Sequence, residues 1–339
     1  MTVALIFIVA FSVVGAFNSD EFLKKYCEKN KFYESFHTKV DLYCLNVKFS
    51  PEELREIQSE DFVLANEKRI IFEGGDLDVV NINFLKKFPL TVEILFSKTL
   101  LKLTTQNEVV DSNLPLESIY ISESKVFGNN NVNLFNSLPN LKHLSLTLNN
   151  MEEKTLTKQF LGNSSHLNYV QIFGPIFEKI DDDAFGDLPN IETLNLSFLN
   201  LTSLPRSIKN LKRLTWINLS RNELTEFPKE VLLSSLEDIN LSSNKIDHIS
   251  KEDFKNFPNL TTLFLGNNGI ENIEIDTFND LQKLEELALD GNKLSNVSKA
   301  HFEKLLNLKR VNLDRNFINV ETSDLKGSGV FELNDQKIV

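Results

Sequence analysis

A leucine pattern that recurs about every 24 residues constrains the fold of this 339-residue chain more than any other feature. The pattern L-x-x-L-x-L-x-x-N-x-L is clearest in the second half, where its first position falls at Leu214, Leu236, Leu260, Leu284 and Leu308. Earlier first positions can be placed at Ile191, Leu167, Leu141, Leu116, Thr91 and Glu67. The sequence therefore predicts about eleven stacked units across residues 67–320.

A single unit of this kind is too small to fold alone. It buries about six or seven apolar side chains, each worth roughly 1.5–3 kcal/mol, whereas ordering the chain costs about 1.5 kcal/mol per residue. Stacked units share both their apolar layer and their strand hydrogen bonds, so the pattern predicts one continuous array with capped ends.

The pattern resembles that of the extracellular leucine-rich-repeat family with repeats near 24 residues, as in Toll-type receptor ectodomains and Slit-like proteins. A second signature of that family is a phenylalanine about eighteen positions into each repeat. It explains much of the surplus of 27 phenylalanines, and it is met here, within one residue, at Phe84, Phe135, Phe160, Phe185, Phe254, Phe278 and Phe302. The resemblance implies an α/β repeat solenoid: a leucine-rich-repeat horseshoe with a concave parallel β-sheet and an irregular or short-helical convex side.

The asparagine of the pattern forms a structural ladder of backbone hydrogen bonds in that family. The resemblance places Asn149, Asn222, Asn244, Asn268, Asn292 and Asn316 in this ladder. Five earlier units are degenerate and carry Gly75, Thr99, Ser124, Pro175 and Leu199 at the asparagine position, which predicts local bends or irregular stacking there.

The two ends of the chain differ from the repeats. Residues 3–17 are apolar and are followed by polar residues, which predicts a signal peptide at 1–16; an uncleaved short anchor is the alternative. Residues 17–66 are expected to form an N-terminal cap with a helix at Ser50–Glu60 and a Cys27–Cys44 disulfide, although two free thiols in a cytosolic protein remain an alternative. Residues 321–339 are assigned to a C-terminal cap or tail, and either this tail or a partner would seal the last repeat.

Outward-facing residues of the predicted strands line the concave sheet and form the candidate ligand-binding surface. Its aromatic residues are Tyr120, Tyr169, Phe173, Phe198, Trp216 and Phe264. Exposed aromatic residues are typical of interface hot spots. One aromatic residue per repeat is also common without any such role, and both interpretations stay open.

Seven N-x-[ST] sequons predict glycosylation at Asn163, Asn195, Asn200, Asn218, Asn240, Asn259 and Asn296. Three of them, Asn195, Asn218 and Asn240, occupy the same outward position on consecutive strands. If these three are glycosylated, sugar covers the centre of the concave face; if not, they are a by-product of the repeated L-N-L-S text.

The sequence shows no arrangement that predicts catalysis, a cofactor or a metal. The five histidines are scattered. Residues 181–183 with Gly186 and Glu192 resemble the spacing of a calcium loop, but Phe185 occupies a position that needs an oxygen ligand. A net charge of −12 argues against a nucleic-acid partner, and beyond the signal peptide no membrane span is expected.

These observations predict a secreted protein, not an enzyme, that recognises a protein or glycoconjugate ligand. The family resemblance implies innate immunity or adhesion. Two alternatives stay open: an inhibitor or noncatalytic regulatory subunit of a secreted enzyme, and a structural protein of the extracellular matrix. The sequence does not define the oligomeric state.

Overall fold

The computed structural model describes residues 25–29, 32–33, 38–39, 42–48, 68–103, 114–127, 135, 138–148, 150–152, 154–162, 164–175, 177–231, 233–321, 323–327 and 329–337. The predicted signal peptide, the predicted helix at Ser50–Glu60, and Asn149 and Asn163 lie outside these residues.

A seventeen-stranded sheet dominates the described residues. The strands that run through successive repeats are β4 (Leu42–Lys48), β5 (Arg69–Val80), β6 (Glu93–Ser97), β8 (Ser118–Ser122), β10 (His143–Thr147), β13 (Tyr169–Phe173), β15 (Thr193–Asn195), β16 (Trp216–Asn218), β17 (Asp238–Asn240), β18 (Thr262–Phe264), β19 (Glu286–Ala288), β20 (Arg310–Asn312) and β21 (Phe331–Glu332). All of these pair in parallel with their neighbours.

The remaining elements are short. They are the strands β1 (Cys27–Lys29), β2 (Phe32–Tyr33), β3 (Thr38–Lys39), β7 (Leu100–Leu103), β9 (Lys125–Phe127), β11 (Asn150–Met151), β12 (Thr155–Leu156) and β14 (Lys179–Ile180), α-helices at Ile82–Lys86, Lys158–Leu161 and Lys251–Phe254, and 3-10 helices at Arg206–Asn210, Lys229–Val231 and Lys299–His301. The predicted fold class is confirmed: a parallel sheet forms one side of a solenoid, and turns and short helices form the other.

The register of the strands places the same position of successive units side by side. The fourth position of the pattern is paired from strand to strand, through Leu194, Ile217, Ile239, Leu263, Leu287 and Val311. Each of these side chains is almost completely buried, while the residues on either side of it in its strand are more accessible. The alternation follows from the period of two in a strand, which directs the leucines into the core.

The eighth position of every unit has a left-handed backbone. Positive φ values are found there at Asn46, Gly74, Lys98, Glu123, Leu148, Gly174, Phe198, Arg221, Ser243, Asn267, Gly291, Arg315 and Asp335. Asn46 lies within β4 and Asp335 follows β21, so the repeat geometry continues into both segments assigned to caps. The left-handed turn aims the backbone N–H at the next unit; that of Phe198, for example, donates to the carbonyl of Ser220 at 3.0 Å.

A phenylalanine spine runs behind the sheet. Towards the C-terminal end its ring centroids are separated by 5.4 Å from Phe254 to Phe278, 6.3 Å from Phe278 to Phe302, and 5.4 Å from Phe302 to Phe331. Phe84, Phe135, Phe160 and Phe185 are also buried, as the offset within the repeat predicted. The surplus of phenylalanine is therefore mainly structural.

The asparagine ladder is present at five of the six positions that the resemblance implied. In Asn244 the Nδ2 atom donates to the carbonyls of Leu219 and Leu241 at 3.0 and 2.9 Å, and Oδ1 accepts from the N–H of Leu224 at 3.1 Å. Asn222, Asn268, Asn292 and Asn316 make the equivalent bonds. Each amide therefore connects the backbones of adjacent units.

Two of the degenerate units keep a ladder made of hydroxyl groups. Ser124 Oγ accepts from the N–H of Thr99 at 3.1 Å and lies 3.1 Å from Thr99 Oγ1, and both side chains are buried. The strand pairing stays in register across them, from β6 to β8 to β10. A register shift does occur beyond Gly75, between Leu77 and Val80, where β5 pairs with β7.

The N-terminal end carries the predicted Cys27–Cys44 disulfide. It joins β1 to β4, the two strands that pair antiparallel at this end of the sheet. No helix in the described part of the chain is long and apolar enough to cross a membrane.

At the C-terminal end the tail itself covers the last predicted repeat. β21 pairs with β20, and Gln336 takes the place of the ladder asparagine. Its Nε2 donates to the carbonyl of Leu313 at 2.9 Å, and its Oε1 accepts from the N–H of Ile318 at 3.1 Å. The tail therefore supplies an additional, degenerate unit.

Candidate functional site

The third, fifth, seventh and eighth positions of each unit face outward and form four columns across the concave sheet. The predicted aromatic residues all lie in these columns: Tyr169 and Trp216 at the third position, Tyr120 and Phe264 at the fifth, Phe173 at the seventh and Phe198 at the eighth. They do not form one cluster, because Phe264 on β18 is two strands away from Trp216 on β16.

Leu148, Phe173 and Phe198 form an exposed apolar surface at the ends of adjacent strands, which we term the apolar rim. The ring centroids of Phe173 and Phe198 lie 5.8 Å apart. Leu148 is 46% exposed and Phe198 is 37% exposed. Between them Gly174 has a φ of 96°, and a Cβ atom there would lie 2.7 Å from Leu148 Cδ2, so glycine makes room for the leucine. Leu148 was not predicted as a site residue.

The backbone at the apolar rim is unfavourable for the residues that occupy it. Leu148 has a φ of 51° and Phe198 a φ of 61°. In the other units this left-handed position carries glycine, asparagine, serine, aspartate or a long charged residue. A bulky residue held there costs on the order of 1–3 kcal/mol, and such strain is concentrated at functional sites.

A second apolar column, also missed by the sequence analysis, lies towards the N-terminal end of the concave sheet. Tyr43, Ile71 and Leu95 pack together at the fifth position, separate from the main core, with Tyr120 against them. The Tyr43 hydroxyl donates to Glu73 Oε2 at 2.5 Å. Burial, and secondarily the negative charge of Glu93, raises the pKa of Tyr120, so its hydroxyl stays protonated at neutral pH.

Tyr169 continues the concave face beside this column. Its hydroxyl donates to Gln171 Oε1 at 2.8 Å, and its ring centroid lies 5.8 Å from that of His143. Burial raises the pKa of Tyr169 as well. His143 Nδ1 in turn lies 3.1 Å from Ser118 Oγ.

In the centre of the sheet, asparagine fills the fifth position on three consecutive strands. The Oδ1 atoms of Asn195, Asn218 and Asn240 accept from the N–H two residues later, at 3.0, 2.9 and 2.9 Å. Asn312 makes the same bond to the N–H of Asp314 at 3.0 Å. These asparagines therefore stabilise the end of each strand, a role that is independent of their being sequons.

The other described sequons have different surroundings. Asn200 and Asn296 are exposed. Asn259 is more constrained, because its Nδ2 donates to the carbonyl of Ser234 at 2.9 Å and its Oδ1 accepts from Lys283 Nζ at 2.7 Å.

We expect the glycan occupancy to follow these surroundings. Asn200 and Asn296 should be mostly occupied and Asn195, Asn218 and Asn240 mostly unoccupied, because the latter three are half-buried in the concave sheet with their side chains fixed by a backbone bond. Glycopeptide mass spectrometry of the chain expressed in a eukaryotic secretory host measures all five, and equal occupancy would contradict the expectation.

The charged residues at the C-terminal end of the concave sheet form ion pairs with one another. Lys309 pairs with Glu285 at 2.7 Å, and Arg310 lies 2.9 Å from both Glu286 and Glu332. The bond with Glu332 raises the pKa of Arg310. These pairs are largely exposed and add little stability. Because the charges compensate one another, this end is less suited to an ionic ligand than its composition indicates.

The acidic run at residues 181–183 is also engaged in ion pairs. Asp181 lies 2.7 Å from Lys179 Nζ and Asp182 lies 3.4 Å from Arg206 Nε. Within the described residues, no group of three or more histidine, cysteine, aspartate or glutamate side chains is placed to hold a metal ion.

Comparison with known proteins identifies the repeats independently. The family described as leucine rich repeat matches residues 165–224, 228–270 and 258–318. The chain is 26% identical to a keratocan of Danio rerio over 60% of this chain and 62% of that protein. It is 30% identical to a Toll-like receptor 10 of Bos taurus over 38% of this chain and 18% of the receptor. The chain thus spans less than two thirds of these relatives.

Solved structures share the fold. Toll of Drosophila, from the Toll–Spatzle complex, superposes with a TM-score of 0.62 at 20% identity, over 81% of this chain and 42% of Toll. An internalin of Listeria monocytogenes gives a TM-score of 0.56 at 18% identity, covering 95% of this chain and 94% of the internalin.

A third structure bears on the type of ligand. TLR13, solved in complex with ssRNA13, gives a TM-score of 0.52 at 21% identity over 82% of this chain and 47% of that chain. Because that protein was solved with RNA bound, the comparisons do not support the exclusion of nucleic acid, which rests on the net charge of this chain alone.

Proposed function

Because the chain is a leucine-rich-repeat protein, we propose that it is a secreted recognition protein that binds a protein ligand on its concave face, with the apolar rim as the main contact. Recognition needs no catalytic group. It needs a surface of protein size, which the parallel sheet supplies: thirteen strands at about 4.8 Å give a face on the order of 60 Å long.

The observation that carries the proposal is the conformation and exposure of Phe198. It is a large aromatic side chain, 37% exposed, at a position whose left-handed backbone disfavours it. Neither core packing nor local geometry explains a phenylalanine there, because glycine or asparagine would fit the backbone better. Contact with a partner does explain it, since buried aromatic residues carry much of the binding energy at protein interfaces.

Secretion is the second part of the proposal. The disulfide between Cys27 and Cys44 is typical of an oxidising compartment, and residues 3–17 have the apolar composition of a signal peptide. An innate-immune or adhesive role follows from the family resemblance. The inhibitor and matrix alternatives differ in their partner, so the same binding experiment separates them.

We expect Phe198→Gly to weaken partner binding by roughly 30-fold, the effect of losing a hot-spot contact of about 2 kcal/mol. Folding stability should change by less than about 1 kcal/mol, because relief of the positive φ offsets the lost contact with Phe173. The measurement is affinity capture from the native extracellular fluid, followed by titration of the protein that the unmodified chain retains.

Asn267→Gly is the matched control. Asn267 is exposed, has a φ of 53° at the same position of a unit three strands away, and lies outside the apolar rim. Equal affinity of Phe198→Gly and the unmodified chain would refute the apolar rim as the binding surface.

The identity of the retained partner separates the alternatives. If the partner is an enzyme whose activity falls on binding, the chain is an inhibitor. If the chain remains with the insoluble matrix during extraction, it is a structural protein of the matrix.

A further inference from the structure

The centre of the concave sheet carries a second surface, distinct from the apolar rim. It consists of the Asn195, Asn218 and Asn240 amides with the Ser220 and Ser242 side chains beside them, which we term the amide grid. We propose that the amide grid binds a neutral, linear glycan chain that runs across the strands, with about one sugar unit for each strand.

The amide grid presents oriented hydrogen-bond donors. The Oδ1 atom of each asparagine is fixed by the backbone N–H two residues later, at 2.9–3.0 Å. This bond leaves the Nδ2 group, with two N–H donors, on the outward side. Within the described part of the chain, no side chain or carbonyl accepts from these three nitrogens, although the residues are half-buried. Sugar hydroxyls are acceptors suited to them.

The spacing of the donors favours a periodic ligand. Asn195 pairs with Asn218, and Asn218 with Asn240, in the strand register, so the three amides form one row with one amide on each strand. Neighbouring strands lie about 4.8 Å apart, whereas an extended peptide repeats on one face only every 6.6–6.8 Å or so. A peptide side-chain row therefore falls out of step within two strands. Each sugar of an extended pyranose chain carries hydroxyl groups on both edges, so acceptors face the row of amides at every sugar even where successive sugars are flipped.

The surroundings of the amide grid supply the other contacts that sugars require. Trp216 lies on the same face of β16 as Asn218, two residues away, and is partly exposed. Its ring can pack against the C–H face of a pyranose. Phe264 ends the asparagine row on β18. Asp238, beside Trp216 in the third-position column, offers a carboxylate that accepts hydrogen bonds from hydroxyls.

The charge of this surface indicates a neutral glycan. On β15 to β18 the four outward columns carry one positive residue, Arg221, and one negative residue, Asp238. The chain as a whole has a net charge of −12, which repels sulfated or otherwise anionic chains. A neutral polymer is not repelled by this charge.

The binding test uses three neutral hexasaccharides as probes, chitohexaose, cellohexaose and laminarihexaose, with a heparin hexasaccharide as the anionic comparison. Binding is followed by calorimetry and by the emission of Trp216, the single tryptophan. We expect at least one neutral probe to bind and shift the emission, and heparin to do neither. Absence of heat with all three neutral probes would overturn the proposal.

Substitutions locate the site without unfolding it. Asn218→Asp keeps an oxygen acceptor for the Ser220 N–H but loses the outward donors, and should weaken glycan binding at least tenfold. Asn312→Asp is the matched control, because Asn312 makes the same backbone bond, at 3.0 Å, at the charged end of the sheet. Equal loss in both variants, or in neither, would show that the amide grid is not the site.

Two further results separate this proposal from others. Phe198→Gly should leave the affinity for the glycan unchanged, so failure of the apolar rim as a protein site and failure of the amide grid as a glycan site are distinguishable.

Glycopeptide analysis decides whether Asn195, Asn218 and Asn240 carry glycans of their own. Full occupancy at all three would replace the outward donors with attached sugar and would overturn the proposal.

Discussion

Phe278→Ala is expected to lower the free energy of unfolding by about 3–5 kcal/mol, the usual range for removing a fully buried phenyl ring. Phe278 has no exposed surface and contacts the rings of Phe254 and Phe302 in the two adjacent units. A cavity at this position weakens both interfaces, and in a solenoid stability is approximately a sum of such nearest-neighbour terms. Denaturant unfolding followed by circular dichroism measures the loss.

Ile275→Ala is the matched control for this substitution. Ile275 lies three residues earlier in the same unit but is 58% exposed, so its truncation should change stability by less than about 0.5 kcal/mol. Emission from Trp216, on the N-terminal side of the altered unit, reports whether the array then unfolds in two parts. A loss below about 1 kcal/mol for Phe278→Ala would mean that the phenylalanine spine is not a principal source of stability.

The repeat fold was predictable because the leucine pattern encodes it many times over. In the second half of the chain each unit carries the aliphatic residues and the asparagine at their expected offsets, and three units also carry the phenylalanine, at Phe254, Phe278 and Phe302. The structure pairs these units in the expected register. A single degenerate residue does not disturb such a pattern, since its neighbours on both sides fix the strand position.

The terminal units were not predictable from the same pattern. The tail unit of β21 has Gln336 in place of asparagine and Phe331 in place of leucine at the fourth position, while Leu333 keeps the leucine of the sixth position. Its sequence departs too far from the consensus to be recognised alone. Only the geometry shows that a glutamine amide reaches the same two backbones, because its longer side chain still presents one donor group and one acceptor.

The candidate site was predictable only in part. The columns of the concave face follow from the strand period, so Tyr169, Phe173, Phe198 and Trp216 could be placed on one surface. Which of these residues are in contact could not be predicted, because the rings of Phe173 and Phe198 come together only through the left-handed turn at the eighth position. Glycine or asparagine normally signals such a turn, and a phenylalanine there gives no signal in the sequence.

The apolar column at the N-terminal end escaped detection for a different reason. Ile71 and Leu95 are aliphatic residues between other aliphatic residues, and they look like part of the core. The structure shows that they are buried on the other face of the sheet, in a cluster of their own with Tyr43. Hydrophobicity alone does not distinguish the two faces of a strand that is apolar on both.

Asn292→Ala is the second substitution expected to have a large effect, a loss of about 3–5 kcal/mol. Asn292 has no exposed surface, and its Nδ2 donates to the carbonyls of Leu265 and Leu289 at 3.0 and 2.9 Å while its Oδ1 accepts from the N–H of Ile270 at 3.1 Å. Alanine leaves the buried N–H of Ile270 without its partner, at about 1–3 kcal/mol, and removes one of two donors from each carbonyl, at about 1 kcal/mol each. The carbonyls of Leu265 and Leu289 keep the Nδ2 groups of Asn268 and Asn316. Thermal and denaturant unfolding measure the change.

Asn312→Ala provides the comparison, because Asn312 is half-exposed and makes a single bond, to the N–H of Asp314. Its loss should cost less than about 1.5 kcal/mol. Equal losses of unfolding free energy in the two variants would mean that the ladder amides stabilise the contact between units no more than an ordinary side-chain hydrogen bond does. Asn292→Ser should fall between Asn292→Ala and the unmodified chain, since one hydroxyl supplies a donor but cannot reach both backbones. At Thr99 and Ser124 two hydroxyl groups from adjacent units, 3.1 Å apart, are used where a single asparagine amide contacts both backbones elsewhere.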